Sequence, residues 1–556
     1  MLQGGSSRPS RRVRRGAIGV AASLALGACV VGAAGGTAQA AAGGRSALIP
    51  GDLLVSRLHY TGTAHLLTAG VSVLPTGATA VADGDFAHVW DNISVDPNFG
   101  VTAPIYLDQV SRTGRVTGSI AVPDGAPGPS SRGHDQLTGS FSSKSEGALN
   151  LSTRGDAITF MGYAVPANTI DASNGNTPGV LDPTNPDAQS VYRAVGELDQ
   201  NGKFSVTETN AYSGDNGRAA VLDDATGLYY TAGNSNNGSG TSVPGLIYGT
   251  GAQLVTPAHK PEQAQNPGQP TPAGSFSVTE LPGVTKADKL GKDTNFAGVA
   301  VYGNVLYYTK GSGSNGVDTV YFVDTTGTAC PAGVGTPVAG APLPTAADAY
   351  DAETGQPTDN MCVLSGFPTG LAKSIKTPDT GASSNAADFG ALWFADSTTL
   401  YVADSGNGTD TYDATTGLYT DAAAQNLAGI QKWSLVNGTW TYDYTLNTGL
   451  GLGVPYTAKG LPTGINAITG TPWTPAVDGI RNFTGTVNRN GTVTLYGVTT
   501  SIGGVSDYGA DPNKLVAVTD SVSATAQPAN EHYSTLETAT TGNVLRGVSL
   551  APGCTR

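Results

Sequence analysis

Charge is scarce in this chain: 13% of its 556 residues are Asp, Glu, Lys or Arg, about half the usual share of roughly 25%. No long stretch carries apolar residues at 3.6-residue spacing, which excludes a body built of amphipathic helices. Beyond residue 40 no apolar run approaches the ~20 residues that a membrane-spanning helix needs, so no membrane insertion is expected once the N-terminal segment is removed. Motifs that announce chemistry are missing as well. There is no G-x-S-x-G elbow, no P-loop and no H-E-x-x-H, and the clustered glycines lack the βαβ setting of a nucleotide site.

Glycine, in contrast, is abundant, with 77 residues, about twice the usual share of roughly 7%. Together with many Thr, Ser, Asn and Val residues it suits short strands joined by tight turns. The apolar share of 39% is ample for a packed core, so global disorder is excluded. One phrase organises the rest. GRAAVLDDATGLYYTAGNSNN, from Gly217 to Asn237, reads as two β-rich runs around an acidic, glycine-containing turn. The same order of parts returns in 296–316, 389–408, 146–163 and 480–500. A hairpin recurring every ~65 to 95 residues points to radial repetition, because one hairpin cannot bury its own faces.

The first unit can be laid out as four strands, Gly147 to Leu151, Ala157 to Tyr163, Val191 to Leu198 and Phe204 to Thr209. Four strands per unit is the pattern of a propeller blade. GSFSVTEL at 274–281 echoes GKFSVTE at 202–208 and is expected to be the fourth strand of the next unit. At the end of the chain, Asn543 to Leu550 has the phase of a first strand without its hairpin, and Gly51 to His59 has the phase of the missing second. Pairing the two would close the ring and remove open sheet edges. The expected fold is therefore all-β: a single β-propeller of about six four-stranded blades, or seven if an insertion hides one, closed by its terminal strands and carrying long loop insertions.

Residues 1–40 are set apart from this body. Arg8, Arg11, Arg12, Arg14 and Arg15 precede a small-residue apolar run and an A-x-A site at 38–40, the layout of an export signal peptide. Residues 41–50 then read as a linker and 51–556 as the propeller domain. Secretion is the expected outcome. Cys29, in Leu26-Gly27-Ala28-Cys29, offers a lipoprotein anchor as the alternative. Without residues 1–40 the chain keeps 24 basic against 43 acidic side chains, which argues against a nucleic-acid partner.

An exported chain permits disulfides, and Cys330 with Cys362 would staple the insertion after 324, leaving Cys554 over. Asp171, Asn174, Asn176 and Asp182, followed by Asn185 and Asp187, sit on a Gly- and Pro-turned loop whose oxygens suit calcium. They do not follow the D-x-[DN]-x-[DN]-G register, and Asn, Asp, Gly and Pro are also ordinary turn residues. Residues 404–413 form a second acidic loop of the same kind. His59, His65, His88 and His134 show no metal-ligand spacing. The polar loop 86–100, with His88, Trp90, Asp91, Asn92 and Asp96, is of the sort that carries function on a rigid scaffold.

NAYSGDNGRAAVL and YTAGNSNNG within 193–254, together with HVWDNISVDPNFGVTAPIYLDQ near the N-terminus, resemble a group of exported bacterial β-propeller-like proteins of uncharacterised function. The resemblance covers most of the chain after residue 40. It implies the propeller and is silent on chemistry.

Each repeat also places one polar residue just before or within its innermost strand: Glu146, Arg218, Asn295, Asp388, Arg481 and Arg546. In a propeller those positions converge near the central channel. Three arginines make such a ring locally basic, and guanidinium groups suit bidentate capture of carboxylates. The expectation is a binding scaffold for a glycan or protein partner, with a uronate or another small anion as ligand. The alternative is a lyase or glycoside hydrolase acting on acidic sugars in the axial funnel, with Glu146 or Asp388 as acid/base. Arginines that simply pair with Glu146 and Asp388 to tie blades together would look the same in sequence.

Overall fold

The structure, a computed structural model, describes residues 48–60, 67–74, 77–80, 100–125, 136–143, 145–182, 187–234, 250–257, 271–287, 293–313, 315–349, 357–374, 387–407, 409–467, 469–504 and 508–553. Residues 1–40, where an export signal is expected, with Cys29, the histidines at 65, 88 and 134, the polar loop up to residue 99, Asn185 and Cys554 lie outside the described residues.

The repeated phrases fold as antiparallel hairpins. Gly217–Asp223 pairs with Leu228–Gly233, Gly298–Tyr302 with Val305–Lys310, Phe389–Asp396 with Thr399–Asp404, and Pro475–Val487 with Thr492–Gly503. Local chemistry closes the first of these. Asp223 Oδ2 accepts from the Thr226 amide at 2.7 Å, and Gly227 takes φ 69°, a left-handed conformation that costs glycine nothing. Each hairpin then gains two more antiparallel strands: Ala252–Val255 and Pro272–Gly274, Thr319–Val323 and Met361–Leu364, Gly429–Val436 and Thr439–Leu446, Lys514–Ser521 and Ser534–Thr538.

The two ends of the chain share a larger, nine-stranded sheet. Its path runs through Phe204–Thr209, Arg193–Asp199, Ala157–Tyr163, Thr138–Ser140, Thr102–Val110, Leu53–His59 and Asn543–Leu550. Val116–Ala121 flanks 102–110, and Asn150–Leu151 flanks 157–163. The C-terminal strand thus pairs with the N-terminal one, from Leu53 opposite Leu550 to His59 opposite Asn543.

First strands of successive sheets lie side by side. Asn150–Leu151 touches 217–223, which touches 298–302, then 389–396, 475–487 and 543–550, and the last returns to 150–151. The molecule is therefore all-β with small sheets in a propeller-like ring. Glycine permits the close approach at its centre: a Cβ at Gly390 would collide with the Arg481 carbonyl oxygen. Apolar side chains fill the wedges between neighbouring sheets. Leu53, Val55 and Leu545 pack with Val498 and Leu515 on one side, while Leu54 and Leu58 pack with Ile158 and Phe160 on the other. This is the period-two alternation of a strand buried on both faces. Among the described residues the one α-helix is Thr420–Ala424, and no helix is long and apolar enough to cross a membrane.

Two expectations change. The echo at 274–281 is not a strand: pairing ends at Gly274, and Val278–Glu280 forms a 3-10 turn capped reciprocally by Ser277 and Glu280. The fourth strand of the following sheet, Met361–Leu364, lies inside what reads in sequence as an insertion.

Cys362 sits on that strand and is bonded to Cys330, with Cα atoms 5.5 Å apart. Closing the segment between them is worth about 3 kcal/mol in the chain-entropy model. Cys330→Ser/Cys362→Ser should therefore unfold its sheet at lower urea, and non-reducing peptide mapping should recover the 330–362 pair. An unchanged urea midpoint would show that the bond constrains little.

Candidate functional site

The start of each innermost strand lies at the ring's centre, and four of the six polar positions form one electrostatic neighbourhood there. Arg218 is half-buried at the second position of its strand. Its Nη1 donates to Asn295 Oδ1 at 2.6 Å, to the Phe296 carbonyl at 3.2 Å and to Ser312 Oγ at 3.3 Å. Burial lowers its pKa, opposed by Asp215, Tyr163 and Glu146. Arg481 is pushed down to about 9 by burial and by the like charges of Arg546 and Arg218, with Glu146 opposing. Among the described residues no hydrogen bond or ion pair engages the Arg481 guanidinium.

Glu146 is 1% exposed. Its Oε1 accepts from the Ser140 amide at 2.5 Å, and its Oε2 is buried with no hydrogen-bond partner. Arg546 is fully buried and acts as a clamp. Its Nη2 donates to the carbonyls of Phe141 at 2.5 Å and Gly509 at 2.9 Å, tying the C-terminal strand to the turn after 138–140 and to the 508–510 turn. Asn295 enters only as the acceptor for Arg218.

Asp388 belongs elsewhere. Burial raises its pKa well above the ordinary carboxylate value, reinforced by Asp404, Asp318 and Asp478 and opposed by Lys310. Lys310 is fully buried and pairs with Asp318 at 2.7 Å. Asp404 accepts from Gln431 Nε2 at 3.0 Å and Asp478 from Gln425 Nε2 at 2.6 Å. The centre is thus divided into a basic side around Arg218 and Arg481 and an acidic side around Asp388.

Sequence reasoning missed Lys310, Tyr163 and Arg193, although Lys310 ends an apolar run, VLYYTK, where a buried cation must find a partner. Tyr163 and Arg193 face each other across paired strands, with the guanidinium 5.4 Å from the ring centre. Burial and Glu146 hold the Tyr163 hydroxyl well above its usual value, so it stays protonated, and it donates to Asn216 Oδ1.

The loop 171–182 is organised by its own side chains and by Arg193. Asn174 Nδ2 donates to Asp171 Oδ1 at 2.7 Å, and Asn176 Oδ1 accepts from the Asp182 amide at 2.7 Å and from Ser213 Oγ at 3.1 Å. Arg193 donates to the carbonyls of Ser173 and Gly175, each at 2.7 Å. The second acidic loop divides similarly: Asp404 stands beside Asp388, whereas Asp413 is half-buried and accepts from the Thr415 amide. His59 lies 3.0 Å from Asn543 Oδ1 across the closing pair. Among the described residues the one His/Cys/Asp/Glu trio with ligand atoms within 4.8 Å is Asp324, Cys330 and Cys362, and its two cysteines are disulfide-bonded.

No family model matches the chain, and no curated protein does. Three solved structures match it distantly. An oxidoreductase (glucose dehydrogenase) from Thermus thermophilus is 11% identical over 71% of this chain and 87% of its own, with a TM-score of 0.28. AztD from Citrobacter koseri is 9% identical over 81% and 97%, with a TM-score of 0.21. A polysaccharide lyase of family PL25, an ulvan lyase, is 9% identical over 81% and 90%, with a TM-score of 0.24. At such scores none of the three lends this chain its chemistry.

Proposed function

We propose that the protein is an exported binding scaffold whose ring centre captures a carboxylate, with a uronate-bearing glycan as the ligand class. The observation that carries this reading is Arg481. Its guanidinium lies among two other arginines and has no donor-acceptor partner among the described residues, so an anion between Arg481 and Arg218 would relieve like-charge repulsion as well as accept hydrogen bonds. Glu146, with a buried Oε2 beside these arginines, favours the second reading, a carbohydrate-active enzyme in which that carboxylate handles a proton.

The test is calorimetry with oligouronates and neutral oligosaccharides. Arg481→Gln and Arg218→Gln should each weaken uronate binding about tenfold or more, because a charge-assisted hydrogen bond contributes about 1.5–3 kcal/mol. Arg481→Gln should leave the melting temperature unchanged or raise it. Lower melting temperatures with no binding to any acidic sugar would make the arginines structural ties instead. Release of new reducing ends or of unsaturated uronate would favour the enzyme reading.

The proposal includes six blades. It reads the nine-stranded sheet as two blades, 543–550, 53–59, 102–110 and 116–121 in one and 150–151, 157–163, 193–199 and 204–209 in the other, with the short 138–140 strand between them. Export through residues 1–40 is part of the same reading, with a lipid anchor at Cys29 as its alternative. Calcium at Asp171, Asn174, Asn176 and Asp182 is a separate proposal, which a chelator-sensitive melting temperature would support.

A further inference from the structure

A second polar cluster lies away from the ring's centre, between the sheet of 389–446 and that of 475–538. Lys432, Asp520 and Tyr401 are fully buried, and Tyr444, Tyr533 and Glu531 nearly so. Lys432 Nζ stands 3.0 Å from Asp520 Oδ2 and donates to the Tyr444 hydroxyl at 3.1 Å. Asp520 accepts from the hydroxyls of Tyr401 and Tyr444, the latter at 2.5 Å. Glu531 stands beside Asp520 with Oε2 buried. One ammonium therefore serves two carboxyl groups.

Both backbone polar groups of one residue, Ser521, hang on this cluster. The Ser521 amide donates to Glu531 Oε1 at 2.9 Å, and the Ser521 carbonyl accepts from Lys432 Nζ at 2.5 Å. Ser521 and Ser523, with Asn490 beside them, form one wall of a groove of about 540 Å³ between the two sheets, opposite Thr398 and Ser434. The cluster thus sets the position of a groove wall.

We propose that Glu531 is a proton-operated latch on this groove: when protonated it lies against Asp520 and holds Ser521, and when ionised it swings away and frees the 521–533 segment. Burial and the Asp520 carboxyl raise Glu531 to about 7, against the Ser521 amide and Lys432. Three tyrosines and His532 also face this pair. Tyr401, Tyr444 and Tyr533 are all driven upward, by burial first and by Asp520. His532 is exposed, with Nδ1 3.1 Å from the Asn530 carbonyl. An acid whose pKa is higher in the closed form than in the open one stabilises closure at low pH and loses that contribution as pH rises. Here the window runs from the ordinary glutamate value of 4.5 up to about 7.

Hydrogen exchange on the full chain tests this, with rates corrected for intrinsic pH dependence. Between pH 6 and 8 the protection of the Ser521 amide should fall about tenfold in the wild type and stay flat in Glu531→Gln, which keeps the acceptor oxygen. His532→Gln should behave as wild type. So should Glu280→Gln, which removes a distant carboxyl also raised to about 7 by burial and Asp359. Asp520→Asn, which removes the repelling carboxylate, should move the transition to lower pH. Equal pH profiles for wild type and Glu531→Gln, or loss of the transition in His532→Gln, would overturn the latch.

Discussion

Deleting residues 543–556 should unfold the entire ring and not merely its last sheet. The strand Asn543–Leu550 pairs with Leu53–His59 along its length, and its loss would leave that strand as an open edge. Leu545 and Val548 belong to the apolar wedge shared with Val498 and Leu515, and Val544 to the wedge on the other side. Asn513 also depends on this strand, donating to the Leu545 carbonyl at 2.8 Å and accepting from the Leu545 amide at 2.8 Å. Removing Arg546 with it would cut the bonds to Phe141 and Gly509. Because every sheet buries its faces against two neighbours, a gap opens apolar surface on both sides and the loss propagates. Far-ultraviolet circular dichroism and a thermal melt are the measurement. A truncated chain that melts with the intact one would show that closure contributes nothing.

Arg193→Met is the second large effect, with an expected loss of about 4 kcal/mol. The side chain is fully buried, and its guanidinium donates to the carbonyls of Ser173, Gly175, Val191 and Asp215 at distances of 2.6 to 2.9 Å. Methionine keeps the apolar stem and leaves those acceptors in a dry site without a donor, which is the costly half of losing a hydrogen bond. The urea midpoint should fall, and exchange of amides in 171–191 should accelerate most. A midpoint within error of wild type would mean that water or a cation takes over the carbonyls. Calcium titration of the variant would separate those two outcomes, since the same loop holds Asp171 and Asp182.

The hairpins were legible because their signal is local. Runs rich in β-branched and aromatic residues around short polar turns specify a strand pair wherever they occur, and 217–233 forms in the register its pattern requires. The closing partnership of 53–59 with 543–550 was legible for a different reason: each stretch has the phase of a strand and lacks a neighbour in sequence. The equivalent places of the six polar positions in the repeat were also readable, and four of them, Glu146, Arg218, Arg481 and Arg546, are neighbours. Their division was not. Arg218 and Arg481 share a neighbourhood with Glu146, whereas Asp388 faces Asp404, Asp318 and Asp478. Those partners come from loops and second strands whose path depends on how adjacent sheets pack, and the cluster around Asp520 likewise draws on strands from two sheets.

Ser-Val-Thr-Glu occurs twice and shows where sequence stops. At 205–208 it is a strand, paired residue by residue with 194–197. At 277–280 the same four residues make a capped 3-10 turn, with the Val278 amide donating to Asp293 Oδ2 at 3.0 Å. Ser and Glu three apart can cap a turn, and Val and Thr can extend a strand, so the tetrapeptide is compatible with both. By itself the sequence determined an all-β chain of repeated hairpins that must close on itself, because periodicity and turn chemistry act over a few residues. Only the tertiary structure decided which backbone groups found a neighbouring strand and which charges shared a buried site, because those depend on partners that the chain brings together from dozens or hundreds of residues away.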